Sequence, residues 1–170
     1  MMYRLLFILA LAFSFPIQAD VSSSGAGAKI LEIDYKPPKV VYDVSVNSVG
    51  KLTSVLDRAS YLSKITGADP FETSIVLVLH GNEIEYFARK NEKKHQELMV
   101  RARSLVTAET LKIRMCRIAA EGHGFKPEDI QNFVEMVPRG DAEIGRLQTG
   151  EGHAYGRGGG HCTEKEIGII

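Results

Sequence analysis

The sequence predicts an α/β domain built on a mainly parallel sheet flanked by helices. Short apolar runs of strand length recur along the chain, at 39–46, 74–80, 110–116 and 133–137. Segments with helical spacing of apolar residues separate them, and strands alternating with helices pair in parallel through crossovers. The run Lys39-Val-Val-Tyr-Asp-Val-Ser-Val46 is almost continuously apolar, which suits a sheet covered on both faces.

Each element follows in order. Lys39–Val46 is the first strand. Asn47-Ser48 supplies a helix cap, and Leu52, Val55, Leu56, Ala59 and Leu62 then share one face of a helix over 49–65. Residues 66–70 form a turn, and Ser74-Ile-Val-Leu-Val-Leu-His80 is a strongly apolar second strand. Gly81-Asn82 opens a helical stretch, followed by a helix over 92–106 whose charged side, with Arg101 and Arg103, reads as a solvated face. Thr110–Cys116 alternates Lys112 and Arg114 with Leu111, Ile113 and Met115, the period of a strand with one buried face. A short helix follows to Gly122, then a helical start at Lys126-Pro127. Phe133–Val137 is the fourth strand, and Pro138 begins a last helix carrying Ile144 and Leu147.

Outside this body the composition changes. Met1-Met2-Tyr3-Arg4 followed by the apolar run from Leu5 to Phe15 has the layout of a secretory signal peptide, ending near Ala19. Ile17 is larger than the residue preferred three places before a cut, so an uncleaved anchor is the alternative. An exported protein, periplasmic or secreted, with no membrane span after cleavage is the expectation. Residues 20–38 read as a flexible leader, 39–155 as the domain and 156–170 as a loose glycine-rich tail.

Composition narrows the function. Lysine plus arginine equals aspartate plus glutamate at 21 each, so the chain lacks the basic field that nucleic acid requires. Two cysteines are too few for a disulfide scaffold or a four-cysteine metal site.

Cys116 is the leading candidate for chemistry. It ends a strand and precedes a helix, at the sheet edge where open α/β proteins bind ligands. A helix N-terminus there favours the thiolate, the reactive form. The alternative is a small buried hydrophobe. Arg117 is better placed than Arg114 to lie beside the sulfur, because Arg114 is two residues back along the strand. His80 closes the second strand at the same edge and can take the thiol proton if the two strands are neighbours. Its alternative is a turn histidine bonded to the backbone. No aspartate stands out to complete a triad. Gly81 and Arg117 are the expected ligand-binding residues.

His153, His161 and Cys162, with His123 in addition, are types that hold zinc or copper, but they have no recognised spacing and no metal is expected. A Cys116–Cys162 disulfide is the more plausible use of the tail cysteine in an oxidising compartment.

Val76-Leu-Val-Leu-His80-Gly81, Leu111-Lys-Ile-Arg-Met-Cys116, Val137-Pro138-Arg-Gly140, Ile144-Gly-Arg-Leu147-Gln148 and Gly152-His-Ala-Tyr155 stand in the order and at about the spacing of one family. Together they resemble the DsrE/DsrF-like family of small sulfur-handling proteins. The resemblance implies a three-layer α/β fold and homo-oligomers, trimers or hexamers. It also implies a cysteine, here Cys116, that accepts sulfane sulfur as a persulfide and passes it to a thiol-bearing partner. No cofactor is implied. The competing expectation is a non-catalytic oligomeric binding or assembly protein in which Cys116 is structural or disulfide-bonded.

Overall fold

The computed structural model describes residues 27–67, 69 and 71–159. The signal segment, residues 20–26 of the leader, His161 and Cys162 lie outside the described residues. Among the described residues, those from Ile33 to Gly159 belong to one compact unit.

Among the described residues five strands make the sheet: β1 (Lys39–Val44), β2 (Ser74–Leu79), β3 (Lys112–Cys116), β4 (Glu135–Val137) and β5 (Ala154–Gly158). Their order is β4-β3-β2-β1-β5, and every pairing is parallel. All carboxyl ends therefore lie along one edge. The helices are α1 (Val49–Ile65), α2 (Gln96–Thr107), α3 (Arg117–Gly122) and α4 (Gly140–Glu151).

The sheet divides the apolar residues into two sets. Val44, Leu77, Leu79, Ile113 and Met115 point to one face and pack with Leu52, Val55 and Leu56 of α1 and Met99 and Ala102 of α2. Val41, Val76 and Val78 point to the other and pack with Ile144 and Leu147 of α4. The alternation follows from the two-residue period of a strand. Helices on both faces of a parallel sheet give the predicted α/β architecture.

α1 begins and ends as the sequence predicts. The Ser48 side chain accepts a hydrogen bond from the Lys51 N–H, capping the first turn. The stretch after Gly81 is a 3₁₀ helix, Asn82–Phe87, and not an α-helix. It pins Ile84 and Phe87 into the core within two tight turns. Proline 127 likewise starts only a 3₁₀ turn, Pro127–Asp129. The face of α2 expected to be merely solvated is partly used: Arg101 pairs with Asp57 of α1, and Arg103 with Glu92 at 3.1 Å.

The tail is where the structure differs most from the expectation. Residues 156–158, expected to be loose, belong to β5, which runs alongside β1 in the register Val40↔Ala154 to Val44↔Gly158. Glycine is there because the strands approach too closely for anything larger. A Cβ on Gly156 would lie 2.9 Å from two ring carbons of Tyr42, and one on Gly158 would lie 2.8 Å from Val44 Cγ2. Among the described residues no helix is long and apolar enough to cross a membrane.

Candidate functional site

Register brings the predicted pair together. β2 and β3 are neighbours, aligned Val76↔Lys112 through Leu79↔Met115. One step further along both chains lie His80 and Cys116. They follow the parity of Val78 and Arg114, so both belong to the α4 face of the sheet. Cys116 carries a free thiol and is 8% exposed. It is not sealed in: a cavity of about 420 Å³ is lined by Asp43, His80, Cys116, Ile118, Arg139 and Gly140, among others.

Two features fix this corner. Gly140, the first residue of α4, stands where a Cβ would lie 3.3 Å from Cys116 Cβ and 3.5 Å from His80 Cβ. The bare backbone at the start of a twelve-residue helix thus sits against both side chains. A helix start carries a partial positive charge that attracts anions. The sequence assigns that part to the helix directly after Cys116, but α3 is only six residues long.

The second feature is Glu83, which is fully buried. Its carboxylate accepts hydrogen bonds from the backbone N–H of Val46 at 2.8 Å, His80 at 2.9 Å and Gly81 at 2.8 Å. These are the chain segments leaving β1 and β2, so Glu83 ties the ends of the two strands together. A buried carboxylate is tolerable because all of these donors converge on it.

A partner for His80 comes from β1. His80 Nε2 is hydrogen-bonded to Asp43 Oδ1, and the Tyr155 hydroxyl of β5 donates to Asp43 Oδ2 at 2.6 Å. Burial pushes the Asp43 carboxyl up, but the hydrogen bonds from His80 and Tyr155 and the charges of His80 and Arg157 together outweigh it and hold the group below its usual value. Hydrogen bonding to Asp43, with burial and the Asp43 charge adding to it, pushes the Tyr155 phenol up, so this hydroxyl keeps its proton and stays a donor.

Arginine at the cavity is supplied by position 139. Arg139 grips Asp141 through two hydrogen bonds, 3.0 and 2.7 Å long. The Asp141 contact raises the Arg139 guanidinium above its usual value, with the Cys116 charge a smaller contribution. The same contact lowers Asp141 to about 2.

The other sequence-predicted residues fall elsewhere. Arg117 points along α3, pairs with Glu121 at 3.5 Å and does not line the cavity. Gly81 does not line it either: its N–H is committed to Glu83, and a Cβ there would meet Ser45 Oγ at 2.6 Å. Arg114 is engaged with Glu135 at 2.9 Å and with Glu143 of α4. His153 is a buried structural residue, with Nε2 2.9 Å from Ser74 Oγ and Nδ1 3.2 Å from the Leu147 carbonyl. Both its ring nitrogens are engaged, and His123 faces Glu85. No group of three potential metal ligands occurs among the described residues.

Asp43, Tyr155, Glu83, Arg139 and Gly140 are thus the site residues that sequence reasoning missed. Asp43 left a signal. A carboxylate inside an apolar strand needs a partner, and the histidine ending the next strand is within reach.

A solved structure shares this fold. It is that of a protein of unknown function, MTH1491, from Methanobacterium thermoautotrophicum, with a TM-score of 0.57, 19% identity and coverage of 71% of this chain and 98% of that one. At that identity the likeness extends to the architecture alone. No family model and no curated protein matches the chain.

The arrangement has a definite chemical capacity. It presents a thiol and a histidine lining one open cavity, a carboxylate hydrogen-bonded to the imidazole, and a helix start against the Cβ atoms of Cys116 and His80. These are the parts of an activated cysteine nucleophile.

Proposed function

We propose that this chain is a DsrE/DsrF-like sulfur carrier that holds sulfane sulfur on Cys116. The observation that carries the reading is the shared cavity of Cys116 and His80, with Asp43 hydrogen-bonded to the imidazole. In the reaction, the Cys116 thiolate attacks the terminal sulfur of a donor persulfide, R–S–SH. The donor leaves as R–S⁻ and Cys116 becomes Cys–S–SH. An acceptor thiolate then attacks that outer sulfur and takes it, regenerating the Cys116 thiolate. No net oxidation occurs, so no cofactor enters. His80 removes the thiol proton before attack, and the start of α4 stabilises the sulfur anion.

Export and assembly as trimers or hexamers complete this reading. They rest on the signal-like segment and on the family resemblance, respectively.

The rival is a binding or assembly protein in which Cys116 only packs, and the 8% exposure of that residue favours it. Loading with a low-molecular-weight persulfide followed by mass spectrometry separates the two. Transfer predicts a gain of one sulfur on Cys116, removable by an acceptor thiol and lost in Cys116→Ser. A wild-type Cys116 that gains no sulfur would leave the rival standing.

A further inference from the structure

We propose that Asp43 and Tyr155 are positioning residues that fix the proton of His80 on Nε2 and so leave Nδ1 as the base for Cys116. The inference rests on the reading that Cys116 is the reacting group. It goes further in assigning which imidazole nitrogen acts and which residues decide it.

The geometry runs outward from the sulfur. His80 has two ring nitrogens, and Nε2 is occupied by Asp43 Oδ1. An ionised carboxylate only accepts hydrogen bonds, so Nε2 must carry the proton. In the neutral ring Nδ1 is then a lone pair, with no protein partner among the described residues. It is the nitrogen left to receive the Cys116 proton. Once it has done so, the imidazolium is stabilised by the carboxylate at its other end, as in hydrolase triads.

Tyr155 acts one step further back. Its hydroxyl donates to the second Asp43 oxygen at 2.6 Å, so both oxygens are held and the carboxylate is not free to rotate away from the ring. Asp43 and Tyr155 come from adjacent strands and point to the same sheet face, since Val41 pairs with Tyr155 in the register. The remaining charges around the pair are accounted for. Arg139 is bound to Asp141 at the start of α4, Glu83 takes the His80 backbone N–H, and Arg157 of β5 acts on Asp43. Among these, Asp43 alone contacts the imidazole ring.

The test is the pH dependence of Cys116 alkylation by iodoacetamide, read by mass spectrometry on the whole chain. Wild type, Asp43→Asn and Tyr155→Phe are compared after circular dichroism has shown each to be folded. Asp43→Asn should move the rate profile to higher pH and slow alkylation at pH 7 by about tenfold, the effect of a one-unit shift in the thiol. Tyr155→Phe removes only an exposed hydroxyl and should move the profile in the same direction by a smaller amount. Asp43→Glu should restore part of the wild-type rate. Superimposable profiles for wild type and both variants would overturn the positioning role. If Asp43→Asn does not fold, Tyr155→Phe alone decides in the same way.

The outcomes separate the two levels. A profile that shifts in a protein that never takes a persulfide keeps the positioning role and removes sulfur transfer. Persulfide loading with unshifted profiles does the reverse. A wild-type thiol that resists alkylation up to pH 9 overturns both.

Discussion

Replacing Glu83 by glutamine changes one oxygen into an NH₂ group and leaves the shape of the side chain intact. In the wild type, Oε1 takes the His80 and Gly81 N–H groups and Oε2 takes that of Val46. The least damaging placement of the glutamine keeps its oxygen on the first two and turns its NH₂ toward the Val46 N–H. One charge-assisted hydrogen bond is then lost, and a buried donor faces another donor. A hydrogen bond to a charged group contributes about 1.5–3 kcal/mol, and a buried unmet donor costs about 1–3 kcal/mol. A neutral amide is easier to bury than a carboxylate, which offsets part of this. The expected loss is about 2 kcal/mol, which for a chain of this size lowers Tm by roughly 4–8 °C. Urea unfolding followed by circular dichroism measures it, and the midpoint should fall with an unchanged slope. Because the lost contact holds the chain leaving β1, the strand that carries the Asp43 partner of His80, Cys116 alkylation should slow in the same variant. A midpoint within about 0.5 kcal/mol of wild type, the range of an ordinary surface change, would refute the clamp.

Three further outcomes follow from particular contacts. Gly156→Ala forces a methyl against the buried Tyr42 ring at 2.9 Å and should destabilise by about 1–3 kcal/mol in urea unfolding, whereas Gly150→Ala, with nothing within 4 Å, should not. Glu109 has φ 54° at the end of α2, where Thr110 N–H bonds the Leu105 carbonyl and Glu109 N–H that of Val106. Glu109→Gly should therefore stabilise by about 1 kcal/mol, read as a raised midpoint. Asp43 is held below its unfolded value, so its contribution to stability is complete above about pH 4 and is lost as the pH falls through the folded value. The urea midpoints of wild type and Asp43→Asn should converge as the pH is lowered from about 5 to about 2, and a gap that stays constant would contradict the sign.

Much of the architecture was legible because burial and periodicity coincide. The Val49–Ile65 helix carries its own cap and an apolar stripe, the strand ending at Leu79 is a short apolar run, and the strand ending at Cys116 alternates apolar with charged residues. The common sheet edge of Cys116 and His80 was legible as well, since it depended only on β2 and β3 being neighbours. Composition misled at β5. Glycines weaken a strand on its own, yet here they mark close approach to Tyr42 and Val44, and that requirement belongs to the neighbouring strand. Glu83 and Tyr155 were hidden for a related reason. Their roles are pairwise, and each partner lies far away in the sequence or in backbone groups that any residue possesses. Arg117 was named and Arg139 was not, because closeness along the chain is visible in a sequence and the return of α4 to the sheet edge is not.

The hydroxyl that steadies Asp43 lies 112 residues further along the chain. Such distant pairings form slowly, because a long loop must close before they return anything. A polypeptide emerging from the ribosome has made its thiol, its imidazole and its carboxylate well before β5 exists to bring that hydroxyl. Premature termination upstream of Ala154 would therefore leave an open flank on β1, the kind of unpaired border along which incomplete chains stick to one another.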